Sequence, residues 1–244
     1  MATRRLEGWL SKSAGSAVLE ANLAGFLAPL EAMAGRIPEA RERLALSREL
    51  TDELGLRWQT GTHDLLGGFI EMLAGDPVAA EAHLQTAVDM FTAMGDMWFL
   101  SIVSTEQARA LFEQDRDEDA LSLIERLDAS PGEPPDNLRY QIRRRDILGR
   151  ILARRGDLDA GLGLAEEAVE IAGRTDYLGF HADALCGLAD VHRRRARPED
   201  AMAVLGEAIE LYDRKGNLVR SSEARSLFEA LGRGVATVRG SIGA

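Results

Sequence analysis

Apolar residues recur along this chain at spacings of three and four, the period of one face of an α-helix. Leu162, Ala165, Ala168, Val169 and Ala172 form one such run. β-Branched runs with period two are missing, so no strand is predicted. The periodic segments are roughly 16 to 18 residues long, a usual length for a globular helix. The residues between them agree with that reading. Pro38, Pro77 and Pro198 sit where alternate helices begin, and there a missing N–H is harmless and φ is already set. Asp96, Asp136, Asp176 and Asn217 precede the other helices, where a short polar side chain accepts the orphan N–H groups. Glycines at the far ends permit a left-handed residue that stops a helix.

The pattern repeats. The stretches 34–40, 74–80, 114–120, 155–161 and 195–201 align on the turn residues Gly35, Gly75, Asp115, Gly156 and Ala196, spaced 40, 40, 41 and 40. Five residues later stand Ala40, Ala80, Ala120, Gly161 and Ala201, and twelve before those stand Ala28, Gly68, Ala108, Gly149 and Ala189. Every one is small. A second series, Gly15, Gly55, Gly95, Pro135 and Gly216, with Asp176 in its gap, marks the other turn. Each unit is thus a helix hairpin, and a small residue on each helix lets the pair approach closely and a third helix nest against it. A fixed period of this length is the mark of a stacked repeat architecture.

The alternation of small and apolar residues at Ala80–Leu84–Ala87, Gly161–Ala165–Ala168 and Ala201–Leu205–Ala208 resembles the tetratricopeptide repeat. The departures are a period near 40 against about 34, as in the longer MalT-type solenoids, and no Trp at the early signature site, held here by Ala24, Asp64, Ser104, Arg145 and Leu185. The stretch 156–231 is similar, more particularly, to the C-terminal repeat arm of bacterial multidomain proteins that carry a STAND-type ATPase with a nucleotide cyclase or a DNA-binding module. The resemblance implies an all-α, right-handed superhelical solenoid of antiparallel hairpins over 16–232. Its repeats are 16–54, 55–94, 95–134, 135–175 and 176–215. Residues 1–15 supply the second helix of a partial leading repeat (Leu6, Trp9, Leu10), as in a fragment of something longer or an unusual cap. A capping helix occupies 217–231, with Leu218, Leu227, Phe228 and Leu231 inward and Arg220, Glu223, Arg225 and Glu229 outward, and 233–244 is a flexible tail. The proline-rich segment 129–137 reads as a stiff surface loop or a hinge.

Composition narrows the function. Forty acidic against 29 basic residues give a net charge of −11, a poor general binder of nucleic acid or anionic membrane. One cysteine allows no internal disulfide. No apolar stretch is long enough to span a bilayer, and the N-terminus lacks the apolar run of a signal peptide, so the cytoplasm is the default location. Only Lys12 and Lys215 are lysines, so the basic side is almost all arginine; a recognition role and a GC-rich genome both account for that bias.

No phosphate-binding loop or H-E-x-x-H motif is present. His63, His83, His181 and His192 are scattered, and Cys186 reads as a small buried thiol. Neither a catalytic residue, a metal nor a cofactor is expected. What remains is a surface. The first helices of such hairpins line the concave face, which places an apolar end at Phe26, Pro29, Met33, Leu66, Phe69, Met72 and Leu73. A charged end follows at Glu106, Arg109, Arg143, Asp146, Arg150, Arg154, Asp190, Arg193 and Arg194. Such a groove suits a protein or peptide segment with an apolar anchor and acidic residues, since arginine binds carboxylates bidentately. The competing reading of the arginines is that cations stabilise helix C-termini whatever the ligand. Trp58 and Trp98 fit packing between repeats better than ligand stacking. Two functions stay open: a non-catalytic interaction scaffold, the repeat arm of a larger signalling or regulatory protein, or a sensor whose small-molecule or peptide ligand controls an attached ATPase, cyclase or transcription module. Neither reading fixes the oligomeric state, and homo-oligomers are compatible with both.

Overall fold

The computed structural model describes residues 16–129 and 137–242, and every regular element within them is an α-helix. In chain order these are α1 (Ala17–Met33), α2 (Ile37–Glu53), α3 (Arg57–Ala74), α4 (Pro77–Met94), α5 (Met97–Glu113), α6 (Asp117–Asp128), α7 (Leu138–Arg154), α8 (Leu158–Gly173), α9 (Leu178–Arg194), α10 (Pro198–Lys215) and α11 (Leu218–Ile242). They form two compact units that divide between residues 134 and 135. The first unit holds α1 to α6 and the second α7 to α11. The partial leading repeat at 1–15 and most of the segment 129–137 lie outside the described residues.

Local chemistry sets each hairpin. Pro38, Pro77 and Pro198 occupy the first turns of α2, α4 and α10. Gly75, Gly95 and Gly216 close α3, α4 and α10 in the left-handed conformation, at φ 78°, 68° and 79°. Asp115 and Ala196, where the repeat lacks its glycine, adopt the same conformation at φ 59° and 56°. A Cβ in that region costs about 1–2 kcal/mol, so the fold imposes the turn even where the local residue resists it. Asp96 accepts the Phe99 N–H at 3.1 Å and Asn217 the Arg220 N–H at 3.2 Å, the caps that the sequence predicts. Asp176 does not cap α9; Tyr177 is its N-cap, and the Thr175 hydroxyl oxygen accepts the Tyr177 N–H at 3.1 Å. For α7 the cap is Asn137, which accepts from Tyr140 N–H at 3.3 Å.

Within each unit successive first helices pack directly on one another, α1 on α3 and α3 on α5, and α7 on α9, with the second helices outside them. The small positions make this approach sterically feasible. Ala28, Ala80, Ala108, Ala120 and Ala201 are fully buried, and a Cβ on Gly68 would lie 2.5 Å from Leu84 Cγ. Leu27, Ile70, Leu84, Phe91, Ile102, Phe112 and Ile124 are the large core residues of the first unit; Tyr140, Ile142, Ile147, Ile151, Leu205 and Tyr212 are those of the second. Between hairpins of the first unit Phe99 stacks on Phe91 and meets Trp58 in a T-shaped contact, both at 5.0 Å, so Trp58 does pack between repeats.

The last helix departs from expectation twice. It continues to Ile242, through the region where the sequence suggests a flexible tail from 233; no proline interrupts that stretch. Its faces are also sorted differently. Phe228 and Leu231 pack on the core formed by α9 and α10, but Leu218 and Leu227 are exposed, and Arg220 turns inward.

Candidate interaction surface

The first unit's inner layer mixes buried and open apolar side chains. Phe26 is 63% exposed although Leu23, Ala24, Gly25, Leu27 and Ala28 around it are all buried. Leu66, one repeat on, and Phe69 are half-buried, as is Pro29. Met33 and Met72, by contrast, line no surface: they are 6% and 8% exposed, and Met72 packs among Ala80, Leu84 and Ala110. Leu73 is buried as well. The helical turn carries these three into the seam between helices, which sequence spacing alone does not distinguish from the face one position away.

Polar groups tie the same helices from behind. Ser47 on α2 donates to the Ala21 carbonyl at 2.7 Å, which leaves its oxygen to accept from Nε2 of the buried His63 at 2.9 Å. Asp64, at the site where the repeat signature has Trp, joins α2 and α4 through Arg48 at 2.5 Å and His83 Nδ1 at 3.0 Å. Burial, with the nearby Arg48 charge, holds the His63 pKa below its ordinary value. The unfolded chain takes up a proton at this ring below about pH 6.5 while the folded chain resists it. The stability that follows is complete above that value and is lost as pH falls toward the folded pKa. Urea unfolding at about pH 7.5 and about pH 5.5 should therefore show a smaller acid loss for His63→Gln than for the parent. Part of the slope will remain, because burial also lowers His181 and His192.

The charged positions are engaged with one another. In the first unit Arg109 lies 3.8 Å from Glu106. In the second, Arg143 is buried, donates to Asp183 at 2.9 Å, lies 3.6 Å from Asp146 and stands over the Phe180 ring at 4.9 Å. Asp190 receives Arg193 at 2.6 Å and Arg194 at 3.0 Å. Burial opposes the Asp190 carboxylate, but those bonds and the Arg150 charge outweigh it and hold the pKa below the usual value. Arg154 is half-buried in the last turn of α7, where its charge suits the helix dipole.

Asp183 is the residue that sequence reasoning missed. Besides Arg143 it accepts the Tyr212 hydroxyl at 2.6 Å, and its charge helps to raise the Arg220 pKa against the effect of burial. Burial and the Asp183 charge likewise raise Tyr212 well above its ordinary value. A signal was available, since Asp183 stands one 40-residue repeat after Arg143. Cys186 lies 3.8 Å from the Tyr212 hydroxyl, and burial pushes its thiol up to about 12, so it stays protonated. Among the described residues no cluster of His, Cys, Asp and Glu is arranged to hold a metal, and no helix is long and apolar enough to cross a membrane.

A family model for the tetratricopeptide repeat matches residues 145–214. Among solved structures the chain is similar to the crystal structure of BtubC (BKLC) from P. vanneervenii, with 15% identity and a TM-score of 0.55 over 88% of this chain and 92% of that one. At that identity the likeness concerns the fold. Comparison with curated proteins gives no match. The chain is an all-α, tetratricopeptide-like helical repeat protein.

Proposed function

We propose that this chain is a non-catalytic interaction scaffold, the repeat arm of a larger signalling or regulatory protein, whose first helices receive a protein or peptide segment. Tetratricopeptide repeats are generally protein-interaction scaffolds and typically non-catalytic, which supports the class. The observation that carries the reading is Phe26, a large aromatic kept 63% in water on a first helix, between the buried Gly25 and Leu27. Leu66 and Phe69 extend the same apolar character, so the segment received has an apolar anchor. At the charged end the arginines already have carboxylate neighbours, and acidic residues on the segment would compete with Asp183 and Asp190 rather than meet open charges.

The test compares Phe26→Ser with Val78→Ser in affinity capture from the source lysate. Val78 is also 63% exposed, but on α4, a second helix. Both variants should melt like the parent, since neither side chain is buried. Phe26→Ser is expected to lose proteins that parent and Val78→Ser both retain. Identical recovery by all three would remove the first-helix face as the binding surface.

A further inference from the structure

A second surface lies at the turns between hairpins of the first unit, away from the inner layer. The C-terminal ends of α2 and α4 and the N-terminal ends of α3 and α5 keep Leu54, Trp58, Met94 and Trp98 in solvent, each of the four at least 39% exposed. Trp58 and Trp98 are one repeat apart, so the side chains form a short ladder along the hairpin ends.

The charges beside it say what would cover it. Asp52 and Glu53 are exposed in the last turn of α2, which holds no basic residue. That is the wrong end of a helix for carboxylates, because they face the negative pole of the dipole. Two other second helices carry basic residues at that end, Arg126 in the last turn of α6 and Arg214 and Lys215 in that of α10, whereas α4 and α8 carry none. The dipole therefore opposes the acids on α2, of which Asp52 also accepts from the Thr60 hydroxyl at 3.3 Å. Over 49–58 and 89–98 together there are five carboxylates and one arginine.

From this apolar ladder flanked by acids we infer a docking site for a basic amphipathic segment of another protein. Its apolar side chains cover Leu54, Trp58, Met94 and Trp98, and its Lys or Arg residues face Asp52 and Glu53. This site is independent of the Phe26 surface.

The experiment titrates the full chain with a labelled helical peptide of leucine and lysine, beside one with glutamate for lysine and one with serine for leucine. The leucine–lysine peptide should bind and the other two should bind at least tenfold more weakly. Asp52→Lys/Glu53→Lys should weaken binding about tenfold or more and flatten its salt dependence. Trp98→Ser should weaken it similarly, with Leu54→Ser as the second apolar variant should Trp98→Ser fold poorly. Glu166→Lys/Glu210→Lys, the same charge change on exposed second-helix positions of the other unit, should stay within twofold of the parent. Equal weakening by both charge-reversal pairs would reduce the effect to whole-molecule attraction and overturn the site. So would self-association of the free chain that Trp98→Ser or Leu54→Ser abolishes, since a second copy would then be the occupant.

Discussion

Leucine at Gly161 is expected to unfold the second unit at temperatures where the parent is fully helical. A Cβ there would stand 2.7 Å from the Gly149 carbonyl oxygen and 3.0 Å from the Ala153 nitrogen, and a Cβ on Gly149 would stand 2.9 Å from the Gly161 oxygen. Two helix backbones touch across this pair, so no side chain can swing aside, and relief requires α7 and α8 to separate. Overpacking a core ordinarily costs about 1–3 kcal/mol. With main chain on both sides the cost belongs at or above the top of that range, a large share of a stability of about 5–15 kcal/mol. Gly68→Leu should cost less, because its obstacle is the side chain of Leu84. The internal control is Gly163→Ala in the same helix, where a Cβ meets nothing within 4 Å; it should raise stability by about 0.5–1 kcal/mol. Thermal melts followed by circular dichroism give the order Gly163→Ala, parent, Gly68→Leu, Gly161→Leu. A Gly161→Leu melt that matches the parent would refute the close contact of α7 and α8.

The same contacts explain what was legible in the sequence. Helices that must touch backbone to backbone can tolerate only Gly or Ala at the contact, so the small residues recur at every repeat and reveal period, hairpin and class. Turn chemistry is nearly as visible. The exceptions are Asp115 and Ala196, which hold a glycine's conformation without being glycine, and Asp176, which lies one residue before the actual N-cap, Tyr177. The surface was much less legible. Polarity sorts residues into inward and outward only when a charge has nothing to meet inside. Arg220 is only 20% exposed, pairs with Glu223 on its own helix at 2.8 Å and feels the Asp183 charge, which raises its pKa against the effect of burial. Arg143 reads as a groove cation yet is buried against Asp183, Asp146 and Phe180. Met33 and Met72 fail for a different reason: an apolar residue fits the seam and the groove equally well by composition, and only the angle around the helix decides.

Alanine at Asp183 is the other change expected to be severe. The carboxylate accepts from Arg143 at 2.9 Å and from the Tyr212 hydroxyl at 2.6 Å, and it lies within range of Arg220. Its removal leaves a guanidinium whose side chain is 4% exposed without its best-placed carboxylate, and a buried hydroxyl without its acceptor. Breaking a buried pair from one side costs about 3–5 kcal/mol, because the remaining charge is stranded. Asp146, 3.6 Å from Arg143, softens the loss and places Asp183→Ala toward the lower figure. Asp183→Asn keeps an acceptor for Tyr212 but no charge, so it should fall between parent and alanine. Tyr212→Phe alone should cost on the order of 1 kcal/mol, the usual worth of one hydrogen bond. In a double-mutant cycle it should add little on top of Asp183→Ala, because its partner is already gone. Urea midpoints at constant m-value measure all four variants. If Asp183→Ala lost less than Tyr212→Phe, the arginine would be adequately paired without it, and Asp183 would be only the acceptor for one hydroxyl.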